Sequence, residues 1–164
     1  MAEASRARGL DVVEADALAY LDSLPDASLG GLFAAQVVEH LEPAYLMRLL
    51  EVALHKIRPD GVVALETINT ACWVAFFESY IRDLTHVRPL HPETLQFLVR
   101  ASGFRDARIE FRSPIPASER LQPVFAPAAC PAELADVVEI LNSNTEKLNS
   151  RIYTHMDYAV VARR

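Results

Sequence analysis

The 164-residue sequence predicts an α/β protein, with a Rossmann-like, mostly parallel sheet and helices on both faces. Two observations carry this prediction. Apolar segments typical of buried strands alternate with segments whose apolar residues recur every three or four positions, as on one face of a helix. Near the end of the chain, two strand-like segments are separated by a long excursion, which is typical of a sheet closed by an antiparallel hairpin.

The first predicted strand is residues 10–14, placed after Gly9, which can end a short polar helix. One or two helical turns follow at 17–24. The segment 29–38 is rich in apolar residues without alternation, as expected for a strand that is buried on both faces.

The clearest helix pattern covers residues 43–57, because Pro43 suits the first helical position and the apolar residues form one stripe. The turn Arg58-Pro59-Asp60-Gly61 ends this helix and leads into a predicted buried strand at 62–66. The helix therefore joins two strands, as a parallel crossover requires.

A helix is predicted after that strand, at 70–82. Pro92 opens the next helix and Gly103 ends it, since proline is preferred at the first helical position and glycine just past the last. The apolar pattern of residues 105–112 then predicts another strand.

Five prolines make residues 113–131 an irregular surface loop, because proline interrupts helices and sheet ladders alike. A helix at 132–149 and a strand at 153–162 complete the pattern. The whole chain, 1–164, is therefore predicted to form a single domain in which the loop and the helix are inserted before the last strand.

Composition excludes several classes of partner. The net charge of −6, with scattered cationic residues, argues against nucleic-acid binding, which needs concentrated Lys and Arg. No apolar run approaches the roughly 20 residues that span a bilayer, and the amino terminus lacks the apolar region of a secretory signal. Cys72 and Cys130 match no metal or redox spacing, so we expect two free thiols in a reducing cytoplasm.

Glycine is scarce where a doubly wound fold needs it. Gly9 is the single glycine among the first 29 residues, and no G-x-G-x-x-G run occurs in the sequence. Such a turn normally follows the first strand, because only glycine lets the backbone and a bound nucleotide approach closely.

Four segments resemble the class I S-adenosylmethionine-dependent methyltransferases. They are the strand 10–14 with Asp16, the run Gln36-Val37-Val38-Glu39-His40-Leu41, the run LHKIRPDGVVALET at 54–67, and residues 85–93 with 101–104. The last segment resembles a subgroup found near bacterial cell-surface polysaccharide genes. The resemblance covers nearly the whole chain. The first residues of this chain correspond to the end of the family's second helix. The resemblance therefore implies a partial methyltransferase-like domain, truncated at the amino terminus relative to the full fold.

The resemblance implies which residues meet S-adenosylmethionine. An acid in the position of Asp16 contacts the adenine amino group, and the next backbone N–H, that of Ala17, contacts the ring. Backbone at Gln36 and Val37 lines the methionine side of the cofactor. A helix N-cap is the alternative role for Asp16, and both roles are compatible. Because the glycine turn and the ribose-binding acid have no counterpart, we expect this chain alone to bind the cofactor weakly or not at all.

Glu39 and His40 are the candidate catalytic residues, because they follow a strand at the end where open α/β sheets bind ligands. Either residue could orient a substrate or act as a base. The alternative is that they form the polar entry to the following helix. No metal-ligand spacing is visible along the sequence.

Three polar residues are candidates for substrate binding: Glu66, Asn69 and His86. For Glu66 and Asn69 the alternative is that they satisfy local backbone groups, and for His86 it is capping or packing. Trp73, Phe76 and Phe77 recur at helical spacing and are expected in the core, with an acceptor pocket as the alternative.

The resemblance implies a methyltransferase that acts on a sugar or other small-molecule acceptor, without nucleic acid and without membrane insertion. The alternative is a non-catalytic remnant that serves as a binding or oligomerisation module. Without the family's first two strands, residues 32–38 would expose an apolar sheet edge. We expect either that residues 10–14 move inward to pair with this edge, or that a homodimer forms across it.

Overall fold

The computed structural model describes residues 2–127, 129 and 131–164. Its helices and strands, in chain order, are α1 (Ala2–Arg6), α2 (Ala17–Ser23), β1 (Leu29–Ala35), α3 (Pro43–Lys56), β2 (Ile57–Ile68), α4 (Trp73–Ala75), α5 (Pro92–Ala101), β3 (Arg105–Pro114), α6 (Ala132–Ile152) and β4 (His155–Arg163). A 3₁₀ turn at Val38–His40 precedes α3, and a π-helical turn at Phe76–Tyr80 extends α4.

The four strands form one sheet in the order β1-β2-β4-β3. β1 and β2 are parallel, whereas β4 is antiparallel to both β2 and β3. The predicted α/β fold and the antiparallel closing hairpin are therefore confirmed. β1, β2 and β3 run in the same direction, and β4 runs in the opposite direction because it inserts between β2 and β3.

The main core lies between one face of this sheet and the helices α3 and α5. Leu46 and Leu50 of α3 and Leu95 of α5 are almost completely buried against Leu65 and Val160 of the central strands. The apolar stripes that the sequence places on the two helices are the faces that become buried, and Gly103 follows α5 with a φ of +103°. Burial of these side chains is the main stabilising contribution to the fold.

The strand predicted at 10–14 is wrong. Residues 10–14 join no sheet, and Leu10 and Val13 are each 59% exposed. The prediction that residues 10–14 move inward to pair with this edge is also wrong, since β1 pairs with β2 alone. A short apolar stretch becomes a strand only when a sheet edge accepts its hydrogen bonds, so local pattern does not decide its structure.

The strand predicted at 29–38 ends earlier, at Ala35, and is not buried on both faces. It is one of the two edge strands of the described sheet, and Phe33 is 67% exposed. An edge strand packs against one neighbour, so side chains that a further strand or helix would cover stay open to solvent.

In the described part of the proline-rich loop, β3 extends as far as Pro114 and a 3₁₀ turn lies at Ala117–Glu119, while the other residues are irregular. Asn149 holds the loop to α6, because its side chain accepts the Leu121 N–H at 3.0 Å and donates to the Leu121 carbonyl at 2.8 Å. Asn142 makes the same pair of bonds with Val124. The apolar stripe on α6 remains largely exposed, since the loop covers only part of the helix.

Cys72 is a free, buried thiol, as expected, and it donates to the Ile152 carbonyl at 3.1 Å. Cys130 lies outside the described residues. Within the residues that are described, no helix has both the length and the apolar character needed to cross a bilayer.

Candidate active site

Polar residues meet where β1 and β2 end. Gln36 follows β1 with a φ of +54°, and its N–H donates to the Glu66 carbonyl at 2.9 Å. Its side-chain amide donates to Asp157 Oδ1 at 3.2 Å. Sequence reasoning missed Asp157. The predicted closing hairpin could have indicated it, because an antiparallel last strand begins beside the carboxyl ends of its parallel neighbours.

Glu39 is buried without a partner for its charge. Its side chain lies in the turn Val38–His40 and the residue is 1% exposed. Among the described residues, no group hydrogen-bonds to either carboxylate oxygen. Burial raises the pKa of Tyr80 and of Tyr158, and the charge of Glu39 raises it further in each case. An unpaired buried carboxylate is costly, so a structural role alone does not explain this residue.

His40 and His86 lie beside each other, with their ring centroids 4.7 Å apart. His40 Nδ1 lies 2.9 Å from Thr85 Oγ1 and 3.2 Å from the Thr85 carbonyl oxygen. Thr85 Oγ1 in turn donates to Asp83 Oδ1 at 2.7 Å. This bond and the Thr85 N–H lower the pKa of Asp83. The loop that carries Asp83 and Thr85 therefore fixes the orientation of the His40 ring.

His86 is nearly buried, and its Nδ1 lies 2.7 Å from the Tyr80 carbonyl oxygen. The Tyr80 ring stacks on His86 at 4.6 Å and on Phe76 at 5.6 Å. A continuous series of rings therefore runs from Phe76 to His40. Sequence reasoning did not single out Tyr80, Asp83 or Thr85, because their importance depends on contacts with residues that are distant in the chain.

Phe76 also lines an open cavity of about 340 Å³, together with Thr70, Trp73 and Phe77. The prediction that all three aromatic residues belong to the core is wrong, because Phe76 is half-buried at the cavity wall and the other two are exposed. Trp73 is 55% exposed and Phe77 is 59% exposed. Helical spacing places residues on one face, but it does not say whether another element covers that face.

Asp16 caps α2, and its carboxylate is held from two sides. Oδ1 accepts the Ala19 N–H at 2.9 Å, and Oδ2 accepts the Tyr45 hydroxyl at 2.8 Å. The Ala19 bond, and then the Tyr45 bond, lower the pKa of Asp16. Ala17 follows in the first turn and lines a shallow cavity of about 360 Å³ with Asp11 and Tyr20 among its other walls. The predicted N-cap role is confirmed, and the adenine role of Asp16 and Ala17 stays a prediction.

The side chain of Asn69 is engaged with the backbone. Asn69 is buried, and its side chain donates to the His155 carbonyl at 3.0 Å and accepts the Ala71 N–H at 3.2 Å. This is the local role that the sequence left open as an alternative. His91 caps α5 by accepting the Glu93 N–H at 3.3 Å.

The structure thus brings Glu39, His40 and His86 into one cluster, with one ligand-capable atom of each within 4.8 Å of the others. Linear spacing does not show this set, because His86 belongs to a later loop. Gln36 and Glu66 share the end of the sheet, while Asp16 and Ala17 belong to α2.

Solved structures resemble the chain over almost its whole length. It is 35% identical to a S-adenosylmethionine-dependent methyltransferase from Archaeoglobus fulgidus, with a TM-score of 0.85, over 94% of this chain and 68% of that one. The chain belongs to the S-adenosylmethionine-dependent methyltransferases. This membership confirms the resemblance that the sequence motifs indicate.

Two more distant methyltransferases support the fold alone. One is a possible histamine N-methyltransferase from Thermotoga maritima, at 14% identity and a TM-score of 0.65, over 99% of this chain and 68% of that one. The other is phosphoethanolamine N-methyltransferase 2 from Haemonchus contortus in complex with S-adenosylmethionine, at 14% identity and a TM-score of 0.52, over 91% of this chain and 36% of that one. No protein-family profile and no curated protein matches the sequence.

The methyltransferase chain keeps groups that fit one end of S-adenosylmethionine. The Asp16 carboxylate has lone pairs beyond its two protein bonds, and Ala17 is exposed beside it, at the amino end of α2. An acceptor and an unpaired helix N–H are the pair that an adenine edge requires. No glycine-rich turn is present in the sequence for the remaining part of the cofactor.

Proposed function

We propose that this chain acts in S-adenosylmethionine-dependent methyl transfer to a sugar or another small-molecule acceptor. The observation that carries the proposal is the cluster of Glu39, His40 and His86, which the stacked rings of Tyr80 and Phe76 connect to an open aromatic cavity. Such a cavity, with apolar walls and a few convergent polar groups, is the usual form of a small-molecule site.

Trp73 and Phe77 supply exposed rings against which the apolar face of a sugar or another ring can lie. The imidazole of His40, which is half-exposed and oriented by Thr85, is placed to accept a proton from an acceptor hydroxyl. Glu39 stabilises the imidazolium that this transfer would create. His86 and Tyr80 hold the position of the His40 ring by packing.

When bound, S-adenosylmethionine supplies a methyl group that its sulfonium already activates. The protein therefore has to align the acceptor and exclude water more than it has to perform acid–base chemistry. We assign Asp16 and Ala17 to the adenine end and the backbone of Gln36 and Val37 to the methionine end. Glu66 faces the acceptor side in this proposal.

The proposal is tested with residues 1–164 in two measurements. Calorimetric titration with S-adenosylmethionine is expected to give a dissociation constant weaker than the low micromolar range, which corresponds to about −8 kcal/mol. Formation of S-adenosylhomocysteine is then followed at saturating cofactor with a panel of hydroxylated sugars and nucleotide sugars.

We expect His40→Ala and Trp73→Ala to reduce product formation, while Phe97→Ala, at an equally exposed aromatic residue on α5, leaves it unchanged. Absence of both cofactor binding and product formation in the wild-type chain would count against catalysis by this chain. Loss of activity in all three variants would count against the assigned pocket.

The second candidate function is that of a non-catalytic binding or oligomerisation module. One observation favours it: β1 is an edge strand that exposes Phe33. Unpaired apolar edges readily pair with another chain, and a second copy of this chain is the occupant we propose. A homodimer formed across β1 is compatible with catalysis as well as with its absence.

A further inference from the structure

Two imidazoles and a buried carboxylate meet at the end of the ring series that runs from Phe76 to His40. One ligand-capable atom each of Glu39, His40 and His86 lies within 4.8 Å of the others. Glu39 is 1% exposed, and both of its oxygens lack a hydrogen-bond partner among the described residues. We propose that these three side chains bind a first-row divalent cation of the Zn²⁺ type. A cation would neutralise the buried carboxylate, which nothing else in the described part of the chain does.

The hydrogen bonds of His40 and His86 leave one ring nitrogen of each histidine free to bind a cation. A carbonyl oxygen can only accept, so the 2.7 Å contact with the Tyr80 carbonyl places a proton on His86 Nδ1. The Thr85 carbonyl does the same for His40 Nδ1, and Thr85 Oγ1 can accept there because it donates its own proton to Asp83. Both Nε2 atoms are left with a lone pair. Histidines that bind metals commonly donate their other N–H to a carbonyl or carboxylate in this way.

The ligand types favour one class of cation. Imidazole nitrogens suit Zn²⁺, Fe²⁺ and Ni²⁺, whereas Mg²⁺ and Ca²⁺ prefer oxygen ligands. Ligand atoms at about 2.1 Å from a tetrahedral cation lie about 3.4 Å apart. Because the ligand atoms of the cluster lie within 4.8 Å of one another, their distances would shorten by at most about 1.4 Å. The half-exposed side of His40 gives the cation a path of entry.

Other groups near the cluster affect how tightly it would bind a cation. Asp83 Oδ2 lies 4.0 Å from His86 Nε2, so it competes for that nitrogen as an ion-pair partner. The buried Tyr80 hydroxyl has no partner among the described residues and is available to a ligand of the cation. Three protein ligands leave an open position, where a bound hydroxyl would lose its proton more readily. With a cation bound, His40 Nε2 is a ligand and cannot also accept a proton, so the bound hydroxyl would release its proton to solvent. This role toward an acceptor rests on the proposed function, whereas cation binding itself does not.

The first experiment measures binding without any activity. Chelator-treated protein is titrated with Co²⁺, followed by visible absorption, and with Zn²⁺, followed by calorimetry. We expect one equivalent to bind, and Glu39→Gln and His86→Ala each to weaken binding by at least about tenfold. If a variant at a buried ligand does not fold, His40→Ala tests the site instead, because His40 is half-exposed. His55→Ala is the matched control, because His55 is exposed on α3.

Each outcome of the titrations either supports or contradicts the proposed cation site. Wild-type protein that binds neither cation would overturn the proposal, as would ligand variants that bind as well as wild type, or a control that loses binding equally. Binding of Mg²⁺ as tight as that of Zn²⁺ would overturn the assigned class of cation. A thiolate absorption band of Co²⁺ would place the cation at a cysteine instead.

A second experiment uses thermal unfolding with and without Zn²⁺. In chelator, we expect Glu39→Gln to melt at or above the wild-type temperature, since it removes an uncompensated buried charge. With Zn²⁺, the order should reverse, because a ligand that binds only the native state stabilises it. Equal shifts in wild type and Glu39→Gln would overturn the proposal. Titration with S-adenosylmethionine is carried out separately, so failure of the cation site and failure of the proposed function are distinguishable.

Discussion

The Tyr45 hydroxyl donates a 2.8 Å hydrogen bond to Asp16 Oδ2, and this contact joins α3 to the amino end of α2. The same hydroxyl accepts the Leu18 N–H at 3.0 Å, while Asp16 Oδ1 accepts the Ala19 N–H. One carboxylate and one phenol therefore satisfy two of the four unpaired N–H groups that open a helix. The candidate adenine side of the site depends on this pair for its position.

The Asp16 contacts predict a specific pH dependence of stability. The Ala19 N–H and the Tyr45 hydroxyl lower the pKa of this carboxyl in the folded protein. The stabilisation is therefore present above the pKa of an unfolded Asp, about 3.9, and is lost as the pH falls through the folded pKa. We expect Asp16→Asn, which can still cap α2, to melt with a weaker pH dependence between about pH 5 and pH 3. Asp22→Asn on the same helix is the control, and identical profiles for the two variants would contradict the prediction.

Neighbouring glycines in β1 should differ in their tolerance of alanine. A Cβ atom at Gly31 would lie 2.8 Å from the Val62 carbonyl oxygen, whereas at Gly30 the nearest atom belongs to the flexible Arg58 side chain, at 3.6 Å. We expect Gly31→Ala to lower the free energy of unfolding by about 1–3 kcal/mol. Gly30→Ala should stay within about 0.5 kcal/mol of wild type. Chemical denaturation measures both, and equal losses would show that β1 and β2 are not packed as described.

Self-association through β1 should depend on Phe33. This residue is 67% exposed on an edge strand of the sheet. If a second copy pairs there, Phe33→Lys should shift light-scattering masses toward the monomer, because a charge on an edge strand opposes pairing. Phe97→Lys is the matched control, since Phe97 is 66% exposed on α5, away from the edge. A wild-type chain that stays monomeric at all concentrations would refute the proposed dimer.

The buried Tyr158 hydroxyl should contribute to stability in a pH-dependent way. It donates to the Leu90 carbonyl at 3.0 Å, and burial, followed by the charge of Glu39, raises its pKa. Tyr158→Phe is expected to cost about 1 kcal/mol near neutral pH. Because the folded pKa is raised, stability is present below the unfolded value of about 10 and falls above it. Tyr158→Phe should therefore lose less stability than wild type above that pH. Tyr153→Phe is the control. A Tyr158→Phe variant that loses as much stability as wild type at alkaline pH would contradict this account.

The local sequence pattern was enough to predict the long helices of the fold. Pro43 and Pro92 mark the starts of α3 and α5, and the apolar stripes on these helices are buried as the spacing predicts. These signals succeed because helix starts and amphipathic faces depend on residues within one or two turns of each other. Residues 10–14 show the opposite case, since a strand forms only where a distant segment offers its edge.

The sequence by itself determined the family, the α/β class and the candidate status of Asp16, Glu39 and His40, because these depend on motifs that are continuous in the chain. Only the tertiary structure decided that His86 joins Glu39 and His40, and that Asp157 meets Gln36. The physical reason is that side-chain interactions act over a few ångströms in space. The separation of two residues along the chain does not fix that distance until the sheet and its loops have folded.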